Sequence, residues 1–130
     1  MTDIVELSIP VTADLVVLAR LTASTVASRA NFDVEEIADL RLAVDELCIS
    51  IAHDRTDGRL ELRFIRDDDN IEVSCTYVPA SGVGSNGRLT PTTDGLSERI
   101  LDALVDEHGH GDEAGHARVW LRKRRARQDL

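Results

Sequence analysis

The stretch from residue 37 to residue 51 constrains the fold most, because its apolar residues recur with the spacing of an amphipathic helix. At 100° per residue these side chains fall on one stripe, as they do when a helix packs against a core. Asp33 and Glu36, three residues apart just ahead of the stripe, have the spacing of a capping box. The stripe consists of Ile37, Leu40, Val44, Leu47 and Ile51.

Glu46 lies nearly opposite this stripe, on the same side of the predicted helix as Ser50. A carboxylate one helical turn before a hydroxyl, held on a rigid element, can act as a general base if it faces a cleft. The same side can instead be ordinary solvated surface, as most polar helix faces are. The spacing alone leaves both interpretations open.

The rest of the chain predicts strands before and after this helix. Residues 4–9 form a first strand, and a helix follows to about residue 29, with Thr12 or Asp14 as its cap. Residues 59–65 and 70–78 both alternate polar and apolar side chains, which predicts a hairpin.

A last helix and a last strand complete the predicted architecture. Leu96, Ile100, Ala103 and Leu104 mark the helix, and residues 117–121 the strand. Strands, helices and further strands in this order predict an α/β (α+β) two-layer sandwich, with a mixed, mostly antiparallel sheet of four to five strands covered on one face by three helices. A length of 130 residues fits a single domain, 1–130, ending in a basic tail at residues 122–130.

The run L-R-L-A-V-D-E-L-C at residues 40–48 resembles the N box of the bacterial anti-sigma-factor serine kinases, small members of the histidine-kinase-like (Bergerat fold) ATPases. In that family the box reads approximately L-A-V-x-E-A-x-T-N, with the Glu as base and the Asn as magnesium ligand. Glu46 matches the Glu, and Ser50 stands at the Asn position. The order of elements is similar along nearly the whole chain. The resemblance implies the Bergerat fold, ATP and magnesium as cofactors, and Glu46 as catalytic residue.

The nucleotide-binding boxes depart from the family pattern. The family carries D-x-G-x-G after the hairpin, and aligning Gly82 and Gly84 with its glycines puts Ala80 at the Asp position. A methyl group cannot accept a hydrogen bond from the adenine amino group. The second glycine box is reduced to Gly95, which follows an aspartate that would repel phosphate. Together with Ser50, these departures predict a degenerate nucleotide site.

Residues 82–87 also spell G-x-G-x-x-G. A dinucleotide site needs this turn to feed the N-terminus of a helix, and no helix is predicted directly after it. A Rossmann-type site is therefore not expected.

The resemblance also implies protein partners. In the family, the first helix contacts an alternative sigma factor and its antagonist, an anti-anti-sigma protein whose serine the kinase phosphorylates. Arg20 matches an arginine of that helix, and Ser24 lies one turn further on, so both are predicted partner contacts. Family members tend to dimerise. We therefore predict a homodimeric anti-sigma factor of the stress-response type, with an active serine/threonine kinase as the alternative.

Three of the four histidines, His108, His110 and His116, lie within nine residues. Imidazoles at positions i and i+2 share a face of an extended segment, which would suit a divalent metal and a metal-responsive binding domain. The Gly and Asp content of the same segment is equally typical of a hairpin turn leading into the last strand. Both interpretations stand at this point.

Composition argues against two other classes of partner. The net charge of −9 does not suit direct nucleic-acid binding, which needs a basic face. The sequence has neither an apolar run of roughly 20 residues nor a signal-peptide pattern, so no membrane association and a cytoplasmic location are expected. In that reducing compartment, Cys48 and Cys75 are expected to be small buried hydrophobic residues.

Overall fold

Five strands and three α-helices form the part of the chain that the computed structural model describes, which is residues 2–53, 55–80 and 95–126. The predicted α+β architecture is confirmed. In chain order the elements are β1 (Thr2–Pro10), a short 3-10 helix (Ala13–Leu15), α1 (Val16–Arg29), α2 (Val34–Ala52), β2 (Arg59–Asp67), β3 (Asn70–Val78), α3 (Leu96–Leu104), β4 (Glu107–Glu113) and β5 (His116–Arg124).

The strands form one sheet in the order β1-β2-β3-β5-β4. Each neighbouring pair is antiparallel, so the sheet is antiparallel throughout where the sequence left room for a mixed one. The predicted hairpin is the β2–β3 pair, with Leu62 opposite Cys75. β5 continues into the predicted basic tail, because Arg122 and Arg124 both pair with β3.

The core lies between one face of the sheet and the helices. On β2 and β3, alternate residues are buried, because a strand points successive side chains to opposite faces. Leu60 and Phe64 of β2 pack with Leu40 of α2 and Leu101 of α3 in the same buried cluster. Each such fully buried side chain contributes about 1.5–3 kcal/mol relative to an exposed one.

Helix α2 runs through the centre of this helical layer. Its capping box forms as predicted: the Glu36 amide donates to Asp33 Oδ1 at 2.8 Å, and the Asp33 amide donates to Glu36 Oε1 at 3.0 Å. Leu40, Val44, Leu47 and Ile51 of the predicted stripe are fully buried, and Ile37 is half-buried. Because the stripe is buried, the opposite side of α2, which carries Glu46, is the side that can contact other groups.

The predicted cap of α1 is wrong, and the hairpin that was one of the two interpretations for the segment before the last strand is present, with its turn later than expected. Helix α1 begins at Val16 with Leu15 as its N-cap, so neither Thr12 nor Asp14 caps it. The segment Glu107–Glu113 is a strand, with a tight turn at Ala114 and Gly115 (φ 52° and 84°) between it and β5. Its pairing with β5 supplies the fifth strand of the sheet.

Within the three described ranges, no helix is both long enough and apolar enough to cross a membrane.

Candidate functional site

The polar side of α2 that carries Glu46 faces the start of α3. The hydroxyl of Ser97 donates a hydrogen bond of 2.5 Å to Glu46 Oε1, joining residues that are 51 positions apart in the chain. Glu46 is half-buried, as is Ser97. A hydrogen bond to a charged acceptor contributes more than a neutral one. Glu46 thus lies at a helix–helix contact rather than on plain solvated surface.

Ser50, one turn further along α2, uses its hydroxyl within its own helix. Its Oγ donates to the backbone carbonyl of Leu47 at 2.8 Å. Such back-bonding is a common conformation of serine in helices. The side chain at the position predicted for the magnesium ligand is therefore turned toward the helix backbone.

The other predicted nucleotide residues surround a segment outside the described residues. Ala80 is exposed in a turn just after β3. Gly95 is the N-cap of α3, with φ of 79°, a left-handed conformation that favours glycine. Gly82 and Gly84 lie among residues 81–94, which the structure does not describe. The structure thus brings Glu46 close to the start of α3, where the second glycine box was predicted.

On the side of α2 that faces α1, Arg20 pairs with Asp45. Arg20 Nε lies 3.1 Å from Asp45 Oδ1, and the two side chains are 38% and 28% exposed. Within the described part of the chain, that Nε atom is buried and makes no hydrogen bond. The pair is an ion pair of the kind that contributes at most about 1 kcal/mol to stability.

Exposed apolar side chains lie close to this ion pair along the two helices: one is next to Arg20 in α1, and two lie within four residues of Asp45 in α2. Leu21 is 54% exposed, Leu42 57% and Ile49 56%. Ser24, one turn after Arg20, is half-buried, and its hydroxyl donates to the Arg20 carbonyl at 3.0 Å. We call the surface formed by Arg20, Leu21, Ser24, Leu42 and Ile49 the hairpin face.

The histidine cluster is divided by the pleat of the sheet. His108 and His110 share the face of β4 that looks toward the helices, whereas His116 pairs with Glu113 on the opposite face. His108 Nε2 lies 2.6 Å from Asp102 Oδ1 of α3. Across residues 2–53, 55–80 and 95–126, no three His, Cys, Asp or Glu side chains are arranged to hold a metal ion.

Curated proteins of similar sequence are serine-protein kinases named RsbW. The one from Bacillus subtilis (strain 168) is 36% identical in a 124-position alignment that covers 81% of this chain and 76% of that protein. A protein of the same name from Bacillus velezensis matches to the same extent. The chain belongs to the serine-protein kinase RsbW family. The predicted relationship to anti-sigma-factor serine kinases is thereby confirmed.

Other members of the RsbW family match over shorter segments. The protein from Bacillus pumilus is 39% identical in a 77-position alignment that covers 55% of this chain and about half (48%) of that relative. A crystal structure of RsbU and RsbW domains from Mycobacterium tuberculosis has a TM-score of 0.71 at 18% identity, covering 97% of this chain and 33% of that one. This likeness shows the fold. No protein-family model matches the chain.

Sequence reasoning singled out Glu46 but did not predict its hydrogen-bond partner, Ser97. Ser97 follows Gly95 by two residues at the start of an amphipathic helix, where a serine is ordinary. Nothing local to α3 indicates that its hydroxyl reaches a carboxylate of α2. Only the packing of α2 against α3 brings the two together.

Proposed function

We propose that this RsbW-family chain is an anti-sigma factor. It holds an alternative sigma factor on the hairpin face and releases it when an antagonist protein competes for the same surface. Nucleotide has little part in this binding, because the ATP and magnesium site is degenerate.

The hairpin face has the chemistry of a protein-binding surface. Its three apolar side chains, Leu21, Leu42 and Ile49, each expose more than half of their surface, and Arg20 lies beside them. Contiguous exposed apolar side chains mark candidate interaction sites, and arginine is enriched among the residues that contribute most to binding. Arg20 and Ser24 are therefore proposed as partner contacts.

The hydrogen bond between Ser97 and Glu46 is the main support for the proposal that the nucleotide site is degenerate. A substrate hydroxyl that approached Glu46 would have to displace the Ser97 hydroxyl from Oε1. Ser50, at the magnesium position, already donates its hydroxyl to Leu47. These contacts, together with Ala80 at the adenine position, support a site that has lost its nucleotide chemistry.

An active serine kinase is the second candidate, and the same contact is its support. The Ser97 hydroxyl, 2.5 Å from Glu46 Oε1, supports a carboxylate that is placed to accept from a serine hydroxyl. Glu46 as a general base would need that geometry with the serine of an antagonist protein. The two candidates differ in whether ATP·Mg is bound and whether phosphoryl transfer occurs.

Homodimerisation and a cytoplasmic location complete the proposal. β1 lies at one edge of the sheet, and Ile4 on it is 51% exposed. An edge strand with exposed apolar side chains favours association with another chain. A partner that belongs to the transcription machinery would be met in the cytoplasm.

The experiment is a pull-down of the host's alternative sigma factors with immobilised, nucleotide-free protein. We expect one sigma factor to be retained, and Arg20→Ala to weaken its retention. Arg63→Ala is the matched control, because Arg63 is an exposed arginine on the sheet face away from the helices. If no sigma factor is retained by the wild type, the proposed function is wrong.

A further inference from the structure

A cleft opens at the end of the α1–α2 hairpin that is remote from the connection between the two helices. It lies between the start of α1, the last turns of α2 and the start of β2. Its walls are mainly apolar, because Val16, Ile49, Ala52 and Leu60 line it together with the buried Cys48. We call this cavity the hairpin cleft. Apolar walls favour an apolar occupant, since apolar surface gains free energy when it leaves water.

The volume of the hairpin cleft, about 270 Å³, indicates the size of that occupant. Pockets that hold drug-sized molecules have volumes of about 300–1,000 Å³. An apolar cavity of about 150 Å³ is large enough for a benzene ring. The hairpin cleft falls between the two, so it has room for one large apolar side chain.

The hairpin cleft continues the hairpin face. Ile49 belongs to both, and it is 56% exposed. Arg20 of α1 and Asp45 of α2 form their ion pair across the two helices. Val16 lies one helical turn before Arg20, and Ile49 lies one turn after Asp45. A segment that covers the hairpin face therefore reaches the mouth of the cleft one turn beyond the ion pair.

Arg55 lines the hairpin cleft and gives it a positive charge in a fixed position. Its Nε donates to the backbone carbonyl of Ile51 at 2.7 Å, and its guanidinium lies 4.0 Å from the centre of the Tyr77 ring. The Tyr77 hydroxyl in turn donates to the Asp57 carbonyl at 2.8 Å. Because these contacts order the arginine in the free protein, little side-chain entropy is lost when a partner binds it. The two terminal nitrogens of the guanidinium have the geometry to donate to a carboxylate.

We propose that the hairpin cleft takes one large apolar side chain from an amphipathic helix of the sigma factor, and that an acidic side chain within four residues of it pairs with Arg55. Helices that dock in grooves present their anchoring side chains three or four residues apart. An anchor buried in a pocket contributes a large share of the binding free energy of an interface. The inference rests on the proposed function, because the cleft extends the same surface.

Calorimetric titration with the sigma factor retained in the pull-down tests the cleft. Ala13→Trp puts an indole at its mouth, where Ala13 is an exposed lining residue, and should weaken binding at least tenfold. Arg55→Gln removes the charge and should weaken binding roughly tenfold. The matched controls are Ala103→Trp, at an exposed alanine of α3, and Arg63→Gln, at an exposed arginine of β2. Both should bind as the wild type does.

A cross-link identifies the occupant independently of these variants. A photoreactive benzoylphenylalanine replaces Thr12, another exposed residue that lines the cleft. After irradiation of the complex, peptide mapping should find one sigma segment with a large apolar residue and an acidic residue within four positions. If Ala13→Trp does not fold, Arg55→Gln and the cross-link decide the question.

Three outcomes overturn the inference, and they are distinguishable from one another. If Leu21→Asp weakens sigma binding but Ala13→Trp and Arg55→Gln do not, the hairpin face stands and the cleft is not part of the interface. A cross-link to a second copy of this chain, or none while the sigma factor is bound, shows that the sigma factor does not occupy the cleft. If the wild type retains no sigma factor, the proposed function fails and the inference fails with it.

Discussion

On the side of α2 that faces α1, Asp45 forms an ion pair with Arg20 without a hydrogen bond, whereas on the side that faces α3, Glu46 accepts a 2.5 Å hydrogen bond from Ser97. The first side continues into exposed Leu21 and Leu42. The second side faces the start of α3, and Glu46 and Ser50 on it are hydrogen-bonded within the chain. Helix α2 thus has one side that is open to a partner and another, the occupied side, whose polar groups are hydrogen-bonded within the chain.

The difference indicates which surface is available to a partner. Burying exposed apolar side chains is favourable, and an ion pair without a hydrogen bond can rearrange at little cost. Displacing Ser97 from Glu46 requires another group to replace a charge-assisted hydrogen bond. The α1–α2 side is therefore suited to binding a protein, and the α3 side is less suited to binding a nucleotide.

The largest effect is expected from a charge on the hairpin face. Leu21→Asp should weaken sigma binding roughly hundredfold, because a carboxylate would be buried where an apolar side chain packs, a loss typical of an interface hot spot. Calorimetric titration with the sigma factor measures it. Val34→Asp is the matched control, since Val34 is an exposed apolar residue of α2 outside the hairpin face, and its affinity should not change. Equal affinities of the Leu21→Asp variant and the wild type for the sigma factor would show that the hairpin face does not bind it.

The next largest effect is expected from restoring the family's residues at the predicted magnesium and adenine positions, which should raise the affinity for ATP. Ser50→Asn together with Ala80→Asp returns a carbonyl oxygen for magnesium and an acceptor for the adenine amino group. A charge-assisted bond of about 1.5–3 kcal/mol corresponds to roughly tenfold to hundredfold tighter ATP binding. Calorimetric titration with ATP and magnesium checks it. A folded double variant with no gain in affinity would show that aligning Ala80 with the adenine position is wrong.

Removing the Ser97 hydroxyl should have a smaller effect. Ser97→Ala leaves Glu46 without this partner, and we expect the free energy of unfolding to fall by about 1 kcal/mol while sigma affinity stays the same. Urea unfolding gives the stability. Ser50→Ala is the comparison variant, because it loses only a bond within α2 and should change stability by less than about 0.5 kcal/mol. If both variants lose the same free energy of unfolding, the Ser97–Glu46 hydrogen bond contributes no more to stability than the bond that Ser50 makes within α2.

The smallest expected effect is that of Glu46→Gln. The amide keeps the volume and can still accept from Ser97, but it cannot act as a base. Wild type and variant should show the same negligible phosphoryl transfer from radiolabelled ATP to an antagonist protein. Rapid transfer by the wild type that the variant loses would establish the active kinase in place of the degenerate site.

The sequence predicted the central helix well because two independent signals coincide there. The apolar stripe sets the buried side of α2, and Asp33 with Glu36 sets its start. Both signals come from residues that are close together in the sequence, so they can be recognised without knowing the tertiary structure.

β4 was not predicted as a strand because glycine and charged residues dominate it. The structure gives a reason for one of these glycines. A Cβ at Gly109 would come within 2.9 Å of the Trp120 ring on the neighbouring strand, so only glycine fits without movement. Pairing with β5 imposes the strand conformation despite the weak local pattern. The same holds for Ser97 and Glu46, whose contact depends on how α3 packs on α2.

The most direct test of the account is the affinity for the sigma factor, measured by calorimetry with nucleotide-free protein and again with saturating ATP and magnesium. We expect the same dissociation constant in both measurements, within about twofold, because the hairpin face binds the sigma factor and the side of α2 that carries Glu46 does not take part. Sigma binding that is absent without nucleotide, or that tightens tenfold or more when ATP and magnesium are added, would contradict it.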